Sequence, residues 1–173
     1  MKDTNINPKT RLIAITGAMA AITILFTAYL FHIPVGANGG DIHCGDSIIY
    51  LAAVLLPTPY AMAVGALGGG IADLLTAPMW TIATVIIKIL LVLPFSSKNA
   101  KLLTKRNLFA PVIAFLITGV GYYIAEAILF GTQAALIASI SGSVIQAFGS
   151  AVFFYSAAFA LENAKIKKLI YLT

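Results

Sequence analysis

Long apolar runs, broken by short clusters of proline, glycine and charge, divide the chain into six segments at about 11–31, 46–57, 59–76, 79–95, 109–130 and 134–161. A membrane-crossing helix needs about 20 apolar residues, or fewer where neighbouring helices cover it. The pattern therefore predicts an all-α membrane protein, with six transmembrane helices in a single domain over residues 1–173. The second run is short, and "PTP" at 57–59 turns it into the third, because proline fixes φ and biases the residue before it out of helix. The last run exceeds a span and is expected to tilt or to extend past the bilayer. The polar leader "MKDTNINPKTR" enters an apolar stretch longer than a signal-peptide core, with no A-x-A-like cleavage site close behind, so the first helix is expected to stay in the mature protein.

Composition sharpens this reading. An apolar share of 60% with 10% charged residues lies far from the roughly 45–50% and 25% of soluble domains. The net charge of +5 is not a nucleic-acid footprint, because its cations sit in short clusters between apolar runs and form no aromatic-interleaved basic face. Cytoplasmic loops of membrane proteins carry the excess lysine and arginine. With the N-terminus inside, Lys2, Lys9, Arg11, Lys98, Lys101, Lys105, Arg106, Lys165, Lys167 and Lys168 all fall on the inner side, and only Lys88, within the fourth helix, does not. Both termini are therefore expected in the cytoplasm. The one cysteine, Cys44, excludes an internal disulfide and has no partner at zinc-ligand spacing.

That topology places Asp41, His43 and Asp46 in the first outer loop or at the start of helix 2, Asp73 near the outer end of helix 3 and Glu126 near that of helix 5. Asp46 suits a helix N-cap and the glycines around it suit turns, whereas Asp41 and His43 suit the rim of a capture site or a solvated loop. Lys88 is the clearest buried charge, since ionisable groups in a span are expensive and face a partner or a cavity. Trp80, Thr84 and Lys88 recur at i, i+4, i+8, forming either a pocket wall or a structural ion pair with Asp73 or Glu126. Thr118, Tyr122 and Glu126 share a face of helix 5, and Ser139, Ser143, Gln146 and Ser150 share one of helix 6. Singly these are helix-to-helix glue. Together they can converge on an aromatic, hydrogen-bonding pocket for a small flat polar molecule.

Small residues form two further stripes. Ala14 with Ala18, and Gly17 with Ala21, are small-xxx-small pairs on helix 1 suited to an outside partner, while Ala61, Gly65 and Gly69 on helix 3 lead to Asp73 and suit internal packing. Enzymatic readings find little support. "SGS" at 141–143 lacks a G-x-S-x-G context, both histidines lie in the first outer region, and no H-E-x-x-H, CxxC or G-x-x-x-x-G-K-[ST] motif is present. No cofactor or metal is expected, and the chain cannot hydrolyse ATP by itself.

The stretch "GGDIHCGDSIIYLAAVLLPTPYAMAVGALGGGIADLLT", followed by "WTIATVIIKILL", resembles the substrate-binding S components of energy-coupling factor (ECF) vitamin transporters. The resemblance rests on a G-x-I-H-x-G-D entry to helix 2, a glycine-rich helix 3 ending in A-D-L and a lysine-bearing I-K-x-L helix 4, and within the family it looks most like the hydroxymethylpyrimidine or pyridoxine group. It implies a multi-pass protein of a prokaryotic cell membrane that captures a vitamin from outside, between the first outer loop and helices 4 to 6. It also implies docking through an A-x-x-x-A surface, matched by Ala14 and Ala18, onto a membrane coupling protein that carries two ATPases. Riboflavin, thiamine or a queuosine precursor could use the same pocket chemistry, and a stand-alone carrier or channel is the alternative from another class.

Overall fold

The computed structural model describes residues 7–30, 33–35 and 40–171, with side chains over those ranges except at 33–35, 40–42, 132–143 and 145. Among the described residues seven α-helices follow one another: α1 (Pro8–Ala28), α2 (Gly45–Leu55), α3 (Thr58–Thr76), α4 (Thr81–Leu90), α5 (Lys105–Phe130), α6 (Thr132–Asn163) and the short α7 (Ile166–Tyr171). A two-stranded antiparallel hairpin joins α1 to α2, with β1 (Ile33–Val35) pairing Ile33 to Ile42 and Val35 to Gly40 of β2 (Gly40–Ile42). The loop expected between the first two helices thus carries a hairpin of its own.

Local chemistry sets most helix ends. At α1 the Asn7 side chain accepts from the Lys9 N–H at 2.9 Å, with Pro8 in the first turn, where its missing donor costs nothing. Thr104 caps α5 by accepting from the Asn107 N–H. The helix expected over 79–95 is shorter. A 3₁₀ turn, Pro78–Trp80, leads into ten residues of α4, and turns replace helix over 91–94, since Pro94 supplies no N–H and disfavours helix at Leu93.

Helix α3 packs between α1 and α4 through its glycines. A Cβ on Gly68 would lie 2.5 Å from the Thr23 side chain of α1, and one on Gly70 would lie 2.5 Å from Val85 of α4. Every residue of α2 is buried. Around it Tyr50 stacks on Phe95 at 4.9 Å between ring centroids, and Phe154 of α6 meets both rings edge-on. The rim of the bundle is apolar: Ile82 and Ile128 are each 78% exposed, and Phe109, Val112, Leu116 and Val120 line the outer face of α5. Exposed apolar surface on this scale belongs against lipid. Among the described residues, α1 and α5 are long and apolar enough to cross a bilayer by themselves, whereas α2 and α4 have 11 and 10 residues.

The short α2 has a structural consequence. At 1.5 Å per residue it rises roughly 16 Å, about half a hydrocarbon core. Residues 40–44 before it lie within the bundle, where His43 is buried and β2 packs against α6. Irregular backbone at membrane depth is tolerated only where protein or a polar cavity surrounds it. The far end of α2 is closed by α7. The Lys167 ammonium donates to the carbonyls of Val54, Ser97 and Asn99 at 2.9, 2.5 and 2.6 Å, and the Tyr171 hydroxyl donates to Leu55 O at 3.0 Å. Two of the carbonyls that a helix C-terminus leaves unpaired thus gain partners.

Candidate functional site

Five helices bring polar side chains to one buried place. Lys88 lies on the inner face of α4, and its stem runs along the glycine face of α3. A Cβ on Gly65 would stand 2.7 Å from the Lys88 carbonyl oxygen, and one on Gly69 would stand 2.8 Å from Lys88 Cγ. The ammonium is fully buried and donates to Asp46 Oδ1 at 2.5 Å. The second carboxylate oxygen of Asp46 accepts from Gln146 Nε2 of α6 at 2.8 Å. Lys88 Nζ also stands 5.6 Å from the ring centroid of Tyr122 on α5, within cation–π range.

A second chain of hydrogen bonds runs beside the first. The Thr84 hydroxyl, one turn before Lys88, donates to Asp73 of α3 and lies 2.8 Å from the Tyr122 hydroxyl. A hydroxyl has one proton to give, so with Asp73 receiving it, Tyr122 must be the donor to Thr84. Trp80 closes the aromatic side, edge-on to Tyr122 at 6.0 Å and tilted against Phe130 at 5.9 Å. Among the described side chains, three buried polar atoms have no hydrogen-bond partner in the protein: Trp80 Nε1, Thr81 Oγ1 and Ser150 Oγ. The Trp80 indole N–H can only donate, so a ligand or water that pairs with it there must offer an acceptor.

The segment before α2 supplies the remaining wall. His43 is buried, and its Nδ1 accepts from the Gly45 N–H at 3.1 Å. A Cβ on Gly45 would lie 2.0 Å from Thr27 Oγ1 of α1, so this glycine is required by close approach and not only by the turn. Cys44 meets α6 at Gly149, whose added Cβ would lie 3.5 Å from the sulfur.

The residues singled out in the sequence distribute unevenly. Asp46, Asp73, Thr84, Lys88, Tyr122 and Gln146 form the network, with Trp80 as its aromatic edge. Glu126 is buried on the face of α5 that bears Tyr122. Asp41 pairs with Pro34 in the hairpin register, while its side chain and those of Ser139 and Ser143 fall outside the described ones. Two expectations are corrected. The capping role does not hold for Asp46: α2 starts after Cys44 with no side-chain cap, and the Asp46 carboxylate, in the first turn, is drawn inward by Lys88 and Gln146. The ion-pair partner of Lys88 is Asp46, not Asp73 or Glu126, because α2 starts inside the bundle at the reach of the lysine stem. The contributions of Thr27 and Thr81 carry no sequence signal, as each is an ordinary threonine in an apolar run.

On α1, Ala14, Gly17, Ala18 and Ala21 are all exposed, and a Cβ on Gly17 would meet nothing within 4 Å. Among the described residues no group of three histidine, cysteine or acidic side chains could hold a metal ion.

Comparison with known proteins agrees with this architecture. The chain is 29% identical over 129 residues, covering 73% of its own length and 84% of the other protein's, to an "Uncharacterized protein in gap 3'region" of Pyrococcus woesei. The profile of one family, described as ECF-type riboflavin transporter, S component, matches residues 7–163. A match over nearly the whole helical bundle identifies the chain as a membrane protein of the ECF-type riboflavin transporter S-component family.

Proposed function

We propose that the chain captures a flat heteroaromatic vitamin at the Lys88, Asp46 and Gln146 cluster, from the outer side of the cell membrane of a prokaryote. Delivery inward then follows docking on a coupling protein with two ATPases. The observation that carries this reading is the buried network itself. A fully buried lysine and its carboxylate, hydrogen-bonded to α6 through Gln146 and set beside the Tyr122 ring of α5, are costly in a lipid-facing bundle and mark a ligand path by default. Because Asp46 and Lys88 neutralise each other, an arriving ring meets acceptor and donor groups without an isolated charge to desolvate. Trp80 and Tyr122 offer aromatic faces for stacking, and the unpartnered Trp80 N–H offers a donor.

Riboflavin is the first candidate, because the family's description names it and its ring system combines a large flat face with several acceptors. Pyridoxine and hydroxymethylpyrimidine, smaller rings taken up by the group that the motifs of α2 to α4 resemble, are the second. ATP hydrolysis belongs to the partner subunits. The test is a titration of the purified chain with riboflavin, pyridoxine, hydroxymethylpyrimidine and thiamine, read by the fluorescence of Trp80, the sole tryptophan. Saturable quenching by one compound is expected, weakened in Gln146→Ala, which removes the amide that holds the Asp46 carboxylate in place. Silence across the panel on folded protein, with vitamin flux through liposomes that lack any ATPase, would replace capture with a stand-alone carrier.

A further inference from the structure

Away from the capture cluster, a groove of about 460 Å³ opens where the end of α6 turns into α7 and faces the loop after α4. Lys98, Lys165, Lys167 and Lys168 line it together with Leu102, Leu161 and Tyr171, and its one acid is Glu162. That acid is already committed, since its Oε2 accepts from the backbone N–H groups of Leu102 and Leu103 at 2.7 and 3.0 Å. Lys167 is likewise committed to three backbone carbonyls, and burial holds its pKa below that of a free lysine. Lys98, Lys165 and Lys168 are exposed, and no carboxylate among the described residues pairs with any of them. Lys165 is also the only described non-glycine residue with positive φ, at 54°, so the turn that presents it adopts a backbone side chains usually avoid.

Depth fixes what such a groove would meet. The 32 residues of α6 rise roughly 48 Å, longer than a hydrocarbon core of about 30 Å, so the helix reaches headgroup level, and its lysine-bearing end is the end suited to it. Phe159, near the end of α6, and Leu169 of α7 are exposed apolar side chains. Three unpaired ammonium groups above an apolar floor match a ligand with a phosphate at one end and hydrocarbon at the other. We propose that this groove is a binding site for the phosphate of an anionic phospholipid, held by Lys98, Lys165 and Lys168, with its glycerol and upper acyl chain against Leu161 and Tyr171.

Native mass spectrometry of the full chain in detergent, titrated with phosphatidylglycerol or phosphatidylcholine, tests this. One phosphatidylglycerol is expected to be retained in preference to phosphatidylcholine. The variant Lys98→Gln/Lys165→Gln/Lys168→Gln should lose that preference by on the order of a hundredfold, about fivefold per lysine near a membrane surface. Lys101→Gln, outside the groove, should keep it, and an unchanged melting temperature in phosphatidylcholine would show that the triple variant folds. Equal retention of the two lipids, or a preference that survives the triple substitution, would overturn the site. Displacement of phosphatidylglycerol by millimolar inorganic phosphate would make the ligand a free anion and overturn the lipid assignment. So would an absence of lipid preference combined with weakened coupling-protein association in the triple variant, which would turn the lysines toward an acidic protein surface.

Discussion

The Asp46–Lys88 contact tests how far one pair of side chains governs the bundle. Removing one member of a buried pair leaves the other charge uncompensated and costs about 3–5 kcal/mol. Asp46→Ala is therefore expected to lower the thermal midpoint of the purified protein sharply. The double variant Asp46→Leu/Lys88→Met should recover most of the loss, because a packed apolar pair substitutes well for a buried ionic one, yet it should still fail to bind the vitamin. A single variant as stable as the parent would mean that the pair contributes nothing. Trp80, Thr84 and Lys88 were legible as one face because they recur every four residues on one helix, a local pattern that needs no knowledge of the fold. The partner of Lys88 was not legible. Asp46 lies 42 residues away and reads locally as a helix cap, so the sequence offered Asp73 and Glu126 for the role until the start of α2 was placed.

At the scale of elements, α3 shows how glycine buys proximity. Gly65 and Gly69 let α4 approach until Lys88 backbone and stem lie against α3 itself. Gly65→Ala, whose Cβ would stand 2.7 Å from a backbone carbonyl that cannot swing away, is expected to cost about 1–3 kcal/mol by overpacking. Gly119→Ala on α5 is the control, since its Cβ meets nothing within 4 Å and helix propensity favours alanine by about 1 kcal/mol. Denaturant unfolding of both variants decides whether packing or propensity dominates. The glycine stripe was readable as an internal face because it led to an acid. The ends of α4 and the hairpin before α2 were less readable. An apolar run gives no sign of where hydrogen bonding stops, so Pro94 ended α4 several residues before hydrophobicity did, and the hairpin pairing depends on strands of three residues each. The cap that α7 places on α2 was invisible for a third reason: Lys167 reads in sequence as one more cation of a polar tail.

For the whole molecule, the apolar rim surrounds a buried α2. The exposed small residues of α1 leave a shallow strip suited to another helix. Ala18→Trp, which fills that strip without touching the core, is expected to reduce vitamin uptake in cells to background while ligand binding by the purified subunit is unchanged. Normal uptake with normal subunit association would move the docking surface elsewhere. The wide separation of Asp46 and Lys88 along the chain also bears on how the protein is made. Synthesis delivers α2 and its carboxylate to the membrane before the lysine that neutralises it has left the ribosome. An unpaired charge inside a span is costly, and neither α2 nor α4 has the length of a full span. A nascent chain cut before residue 88 is therefore expected to hold α2 in the bilayer less well than the full chain does, with α2, α3 and α4 inserting as one unit once the lysine arrives.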